Sequence, residues 1–179
     1  MLPNLTPDVA LAERLFATLR ERSFDGVGIT REAYGPGEAM AHALVTEAGA
    51  ALGLERKVDP IGNLYLTLPG ADRQAKRIVL GSHLDSVPQG GNYDGAAGVL
   101  AGLATVAGMR AAGYVPARDI TVMAIRAEEA GAWFPTSYPG SRGALGLLRA
   151  EELNVKRLDS GRSLEAHMRE AGFDPDFAR

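Results

Sequence analysis

The sequence contains no cysteine among its 179 residues, and long apolar runs are also missing. The absence of cysteine excludes disulfides, zinc sites built on thiolates and cysteine nucleophiles. Nowhere do about 18 consecutive apolar residues occur, which argues against a membrane-spanning helix. The amino terminus lacks the charged and apolar regions of a signal peptide. A cytoplasmic protein with no membrane partner is therefore the expectation.

The sequence also has no excess of positively charged residues. The formal net charge is −3, and basic and acidic residues are mixed along the chain, so no basic stripe predicts a nucleic-acid partner. Charged residues make up 23% and hydrophobic residues 46%, which is typical of a globular domain. No nucleophile elbow, phosphate-binding loop, dinucleotide fingerprint or His-Glu-x-x-His motif is present. The chemistry must therefore rest on other residues.

The most informative segment is residues 81–98, GSHLDSVPQGGNYDGAAG. It follows an apolar run typical of a buried strand, and apolar residues at helical spacing come after it. His83, Asp85 and Asp94 lie close together within it. An imidazole and two carboxylates at a strand end suit a divalent metal such as zinc, manganese, cobalt or nickel. The alternative is a polar turn in which the two aspartates only cap loops.

A second acidic cluster follows the apolar run Asp119–Arg126, which predicts a central strand. Glu128 and Glu129 come at its carboxyl end. Two strands joined through a helix predict a parallel crossover, which places both polar clusters at one edge of the sheet. One glutamate can then bind a metal while its neighbour accepts a proton from water. By residue frequency alone, a pair of surface acids is favoured, but the position at the end of a buried strand reverses this preference.

Other residues have simpler interpretations. Asp94 can bridge two metals because a carboxylate offers two oxygens, and Asp85 can fix the His83 ring. The remaining histidines fall in helical segments and are expected on the surface or in packing. They are His42 and His167. Trp133 is expected in the core. The alternative is that it belongs to a loop that lines the site.

Several motifs together resemble one family. They are HLDSVPQGGNYDGAAGV, AEEAGAWF, GSRGALG, DGVGITREAYGPGE and VDPIGNLYLTLPG. This set resembles the zinc-dependent amidohydrolases of the aminoacylase-like metallopeptidase superfamily, in particular N-carbamoyl-L-amino-acid hydrolases and allantoate amidohydrolases. The resemblance extends over nearly the whole chain. It implies an α/β fold, a three-layer sandwich with a mixed, largely parallel central sheet.

The resemblance also implies roles for the candidate residues. His83 would bind one of two divalent metal ions, Asp94 would bridge them, and Glu129 would bind the other. Glu128 would be the general base, with Asp85 orienting His83. The implied reaction is hydrolysis of a linear amide or ureido C–N bond in a small N-carbamoyl or ureido substrate. The alternative within enzymes is a metallo-aminopeptidase or dipeptidase specificity.

Two further expectations come from the resemblance. The peptide bond between Asp94 and Gly95 would be cis, or trans if parts of the protein outside this sequence enforce the cis form. Family members also have additional ligand histidines and a lid domain used for dimerisation, which this sequence lacks. Residues 1–179 are therefore expected to be the amino-terminal part of a truncated catalytic domain, with a homodimer only where the lid is present. The chain alone is expected to be inactive; a non-catalytic remnant or subunit is the other alternative.

Overall fold

A mixed β-sheet with helices packed on it is the centre of residues 5–178, which are the residues that this computed structural model describes. The strands are β1 (Glu55–Val58), β2 (Leu64–Leu68), β3 (Ile78–His83) and β4 (Ile120–Ile125). The helices are α1 (Val9–Ser23), α2 (Pro36–Ala51), α3 (Ala96–Ala111), α4 (Pro139–Ala144) and α5 (Leu164–Glu170). Short 3₁₀ turns follow at Ala150–Asn154 and Pro175–Ala178.

The sheet has the strand order β1-β2-β4-β3. The β1–β2 and β2–β4 pairs are antiparallel, whereas β3 and β4 are parallel and joined through α3. In the parallel register, Ile78 lies opposite Ile120 and His83 opposite Ile125. The α/β class with a mixed sheet is thus confirmed. Because β3 and β4 end side by side, the segments that follow them meet at one edge of the sheet.

One face of the sheet carries the main core. The alternation of leucines in β2 directs Leu64, Leu66 and Leu68 to this face, as their spacing predicts. The same cluster includes residues of α1, α2 and α3, among them Leu19, Val45 and Leu103. Helix α3 packs closely on β4 at Gly102. A Cβ at this position would lie 3.1 Å from a methyl of Val122. Among residues 5–178, no helix is long and apolar enough to cross a membrane.

A second buried cluster lies beside the carboxyl ends of the strands. It collects residues from the loops and short helices, including Tyr34, Ile61, Phe134, Leu153 and Met168. Trp133 belongs to this cluster, is 7% exposed, and donates its indole N–H to the carbonyl of Ser86 at 2.7 Å. The expectation that Trp133 is a core residue is therefore confirmed. This cluster fixes the segments that surround the strand ends.

Candidate metal centre

Three of the predicted residues meet at the carboxyl ends of β3 and β4. His83 is the last residue of β3, Glu129 follows β4, and Asp94 lies just before α3. One potential ligand atom from each residue lies within 4.8 Å of the others. The parallel crossover therefore places the two polar clusters together, as the sequence predicts.

The imidazole of His83 is held by Asp85. Its Nδ1 atom lies 3.1 Å from both the backbone oxygen and Oδ1 of Asp85. The other ring nitrogen, Nε2, faces Asp94 Oδ1 at 3.9 Å. Burial lowers the pKa of His83, but the hydrogen bond to Asp85 and the charges of Asp85 and Glu129 outweigh this effect and raise the pKa to about 9. A metal at Nε2 must therefore displace a proton.

Asp85 has a second role that the sequence did not predict. Its side chain is fully buried, and its Oδ1 accepts the backbone N–H of Glu128 at 3.1 Å. Its Oδ2 accepts the backbone N–H of Glu129 at 3.0 Å. One carboxylate thus connects the histidine at the end of β3 to both glutamates after β4. A buried aspartate at a strand end was the only available signal for this role.

The two glutamates have different surroundings. Glu128 Oε1 accepts the backbone N–H of Ser141 at 2.8 Å. Within residues 5–178, the buried Oε1 of Glu129 has no hydrogen-bond partner. Burial raises the pKa of Glu128 against the hydrogen bond from Ser141, and it raises the pKa of Glu129 against the charge of His83. An unsatisfied buried carboxylate oxygen is costly unless a cation pairs with it, so Glu129 suits a metal ligand.

The loop carrying Asp94 passes directly over the His83 ring. Gly95 has a φ of 65°, and a Cβ at this position would overlap the imidazole, so glycine is required here. The bond between Asp94 and Gly95 is trans, and no cis bond occurs in residues 5–178. Of the two expectations for this bond, the chain therefore has the trans form, and the positive φ of Gly95 makes the turn. The Asp94 side chain is 62% exposed.

Arg31 is a site residue that sequence reasoning missed. Its side chain is fully buried, with Nε donating to the carbonyl of Leu84 at 2.7 Å and Nη2 to the carbonyl of Asp94 at 3.3 Å. Burial lowers the pKa of Arg31, opposed by the charges of Asp85, Asp94 and Glu129. The guanidinium therefore fixes the Asp94 loop and partly offsets the negative charge. No local pattern could have indicated it, because Arg31 and Asp94 are 63 positions apart.

The other histidines serve packing, as expected. His42 and His167 are 5% and 7% exposed, and neither belongs to the metal-ligand group. His167 packs edge-on against Phe134 and shares a hydrogen bond of 2.8 Å with the Ser160 hydroxyl. The donor set at the strand ends is thus one imidazole and two carboxylates. These donors fit a divalent metal such as zinc or manganese.

The chain matches one protein-family model and is similar to several amidohydrolases. Residues 63–160 match the model of peptidase family M28. The chain is 35% identical over 151 residues to the allantoate amidohydrolase of Bacillus subtilis, covering 84% of this chain and 36% of that protein. It is 39% identical over 168 residues to the N-carbamoyl-L-amino acid amidohydrolase of Geobacillus stearothermophilus, covering 92% and 41% respectively.

The fold is also similar to that of a solved structure. A hydantoinase/carbamoylase family amidase from Burkholderia ambifaria superposes with a TM-score of 0.86 at 32% identity. The match covers 94% of this chain and 42% of that protein. The chain therefore spans about two fifths of the length of the relatives that it matches.

Proposed function

The chain belongs to peptidase family M28, and from this membership we propose that it forms the metal-binding part of an amidohydrolase. The proposed reaction is hydrolysis of a linear amide or ureido C–N bond in a small substrate of the N-carbamoyl-amino-acid or allantoate type. The observation that carries the proposal is the meeting of His83, Asp94 and Glu129 within 4.8 Å at the ends of two parallel strands. The names of the relatives supply the substrate class.

In this proposal, His83, Asp94 and Glu129 would hold divalent metal, and Asp94 would be the ligand shared by two ions in the complete site. When bound, the metal supplies Lewis-acid chemistry, polarising a carbonyl and lowering the pKa of water. Asp85 orients His83 through Nδ1, which leaves Nε2 for the metal. Zinc is the proposed ion, and manganese, cobalt and nickel suit the same donors.

Glu128 is the proposed general base. Burial raises its pKa, which moves the carboxylate toward the neutral range where a base is most effective. The Ser141 N–H binds one of its oxygens and fixes the carboxylate. In the proposed reaction, Glu128 accepts a proton from water as the water oxygen bonds to the carbonyl carbon. Glu128 then returns the proton to the nitrogen, which leaves as the C–N bond breaks.

We further propose that residues 1–179 correspond to the amino-terminal part of a catalytic domain. The three relatives described above match over only 36% to 42% of their length. Three ligand side chains do not complete the coordination of two ions, so we expect no useful hydrolysis of N-carbamoyl amino acids or allantoate by this chain alone. Rapid metal-dependent turnover by the purified chain would contradict this part of the proposal.

A chimaera tests the proposed reaction directly. Residues 1–179 would replace the matching segment of the Bacillus subtilis allantoate amidohydrolase, and hydrolysis of allantoate, an N-carbamoyl amino acid and a dipeptide would be compared. We expect ureido hydrolysis that depends on added metal and is abolished by Glu128→Gln. Retained activity in the Glu128→Gln chimaera would overturn the assignment of the base. A folded, metal-loaded chimaera with no ureido hydrolysis would overturn the substrate class.

The second candidate is a metallopeptidase. The matching family model is that of a peptidase family, which favours cleavage of an amino-terminal or dipeptide bond by the same residues. In the chimaera, hydrolysis of the dipeptide in preference to both ureido substrates would support this candidate. A non-catalytic subunit is the remaining alternative, and it predicts no hydrolysis of any of the three substrates.

A further inference from the structure

Helix α2 carries a fully buried carboxylate whose hydrogen bonds lead to the metal centre. Glu38 Oε2 accepts the backbone N–H of Tyr34 at 2.7 Å and Nη1 of Arg126 at 2.9 Å. Its Oε1 accepts the backbone N–H of Ala127 at 2.8 Å. A buried charge is unfavourable unless it is paired and hydrogen-bonded, and Glu38 meets both conditions.

The segment that Glu38 contacts is the turn that carries both glutamates. Four consecutive backbone N–H groups, those of residues 126–129, all donate to side-chain oxygens rather than to other backbone. Asn63 accepts the first at 2.9 Å, Glu38 the second, and Asp85 the last two. Three side chains therefore determine the course of this turn, which we call the glutamate turn (residues 126–129).

Within the glutamate turn, Ala127 has an unusual backbone conformation. Its φ is 53°, in the left-handed region that residues with a Cβ adopt rarely. Ala127 is 2% exposed, and Glu38 is the acceptor of its N–H. Such a conformation persists only where the surroundings enforce it. The hydrogen bond from Ala127 to Glu38 is the contact best placed to do so.

Arg126 pairs with Glu38 and holds its carboxylate in place. Burial raises the pKa of Glu38 to about 7, and the charge of Arg126 opposes this shift. Its Nε donates to the carbonyl of Gly62 at 3.0 Å, and its guanidinium lies 4.8 Å from the centre of the Phe173 ring. The Arg126 side chain is 8% exposed, so the ion pair is shielded from water. The glutamate turn is thus supported at its first two residues by Asn63 and Glu38. Neither of these side chains belongs to the metal-ligand group.

We propose that Glu38 is a positioning residue for the metal centre. By accepting the N–H of Ala127, it holds the left-handed conformation that sets the direction in which Glu128 and Glu129 leave β4. Glu38 itself touches neither metal nor substrate. The inference rests on the proposed function, because Glu129 is there a metal ligand and Glu128 the base.

The test compares metal affinity with stability in Glu38→Gln. The amide keeps the size of the side chain but turns two acceptors into one acceptor and one donor. We expect Zn²⁺ affinity, measured by calorimetry on the purified chain, to fall by about 10-fold or more, as for other residues that orient ligands. Leu44→Ala is the matched control: it lies on the same helix, belongs to the main core and should lower stability without changing Zn²⁺ affinity.

A second substitution separates positioning from a purely structural role. Glycine adopts positive φ without penalty, so Ala127→Gly should restore much of the Zn²⁺ affinity in the Glu38→Gln background. Glu38→Asp keeps the charge near Arg126 but withdraws the oxygen from Ala127, so it should also lower the Zn²⁺ affinity. This variant replaces Glu38→Gln in the test if Glu38→Gln does not fold. Affinity unchanged in a folded Glu38 variant, or no rescue by Ala127→Gly, would overturn the proposal.

Hydrogen exchange distinguishes failure of this inference from failure of the proposed function. If the wild-type chain binds no Zn²⁺, the metal centre fails, but the amides of Ala127, Glu128 and Glu129 still report on the turn. We expect Glu38→Gln to accelerate their exchange more than Leu44→Ala does at equal global stability. Equal exchange in the two variants would overturn the positioning role whether or not metal binds.

Discussion

The two halves of the metal centre are held in different ways. In the glutamate turn, four backbone N–H groups donate to Asn63, Glu38 and Asp85, and all three side chains are fully buried. In the loop of residues 83–95, which we call the histidine loop, the Asp94 carboxylate is 62% exposed and its backbone is anchored by Arg31. The backbone that carries the two glutamates is thus fixed before metal binds, whereas the Asp94 side chain has room to adjust to the ion.

The largest effect is expected where the two halves meet, at Asp85. Asp85→Ala removes the acceptor of two backbone N–H groups and the partner of His83. An unsatisfied buried donor costs about 1–3 kcal/mol, so we expect the free energy of unfolding to fall by about 2–5 kcal/mol, with Zn²⁺ binding lost. Urea unfolding and calorimetry measure the two effects.

Asp72→Ala is the control for this prediction. The Asp72 carboxylate also accepts two backbone N–H groups, from Gln74 and Ala75, but in an exposed loop. Water can replace it there, so the expected loss is below about 1 kcal/mol. Similar losses in the two variants would show that burial at Asp85 is not what makes it important.

In the histidine loop, Gly95→Ala should have the next largest effect. A Cβ at Gly95 would overlap the His83 ring, and alanine would have to adopt the φ of 65° at this position. We expect about 1–3 kcal/mol of destabilisation and weaker Zn²⁺ binding, because the ring must move. Gly91→Ala in the same loop is the control, since a Cβ there meets no atom within 4 Å. Equal effects at the two glycines would contradict the close contact between Gly95 and His83.

Asp94→Asn should separate binding from stability. The exposed Asp94 carboxylate contributes little to folding, so we expect the free energy of unfolding to change by no more than about 0.5 kcal/mol. Zn²⁺ affinity should nevertheless fall clearly, because a charged ligand is lost. Calorimetry and urea unfolding on the same preparation check both parts. Unchanged affinity would remove Asp94 from the ligand set and leave the histidine loop with His83 alone.

The last prediction concerns the support of the glutamate turn from α4, where the Ser141 N–H donates to Glu128. Hydrogen bonds from the neighbouring Arg142, and then from Arg149, hold the pKa of Glu152 at about 2, below its ordinary 4.5. A lowered pKa means stabilisation that is present above pH 4.5 and is lost as the pH falls toward 2. Glu152→Gln should therefore cost about 1 kcal/mol at pH 7 and almost nothing near pH 2. A loss that is equal at both pH values in urea unfolding would contradict this ion pair.

Local patterns predicted the parts of the site that local chemistry determines. Alternating leucines indicated β2, and two apolar runs joined by a helical pattern indicated the parallel pair that brings His83 and Glu129 together. Arg31 and Glu38 could not be predicted in this way. Arg31 lies in a glycine-containing loop, and Glu38 resembles any acid in the first turn of a helix. Their partners are defined only by the tertiary fold.

The hydrogen bond between Ala127 and Glu38 has a consequence for the order of folding. It joins residues 89 positions apart, so it can form only after β4 has entered the sheet and α2 has docked. Closing such a long segment lowers the chain entropy before the stabilising contacts between its ends have formed. We therefore expect the glutamate turn to be unformed in the folding transition state. Substitution of Glu38 should then accelerate unfolding while leaving the refolding rate nearly unchanged, which stopped-flow measurements in urea can resolve.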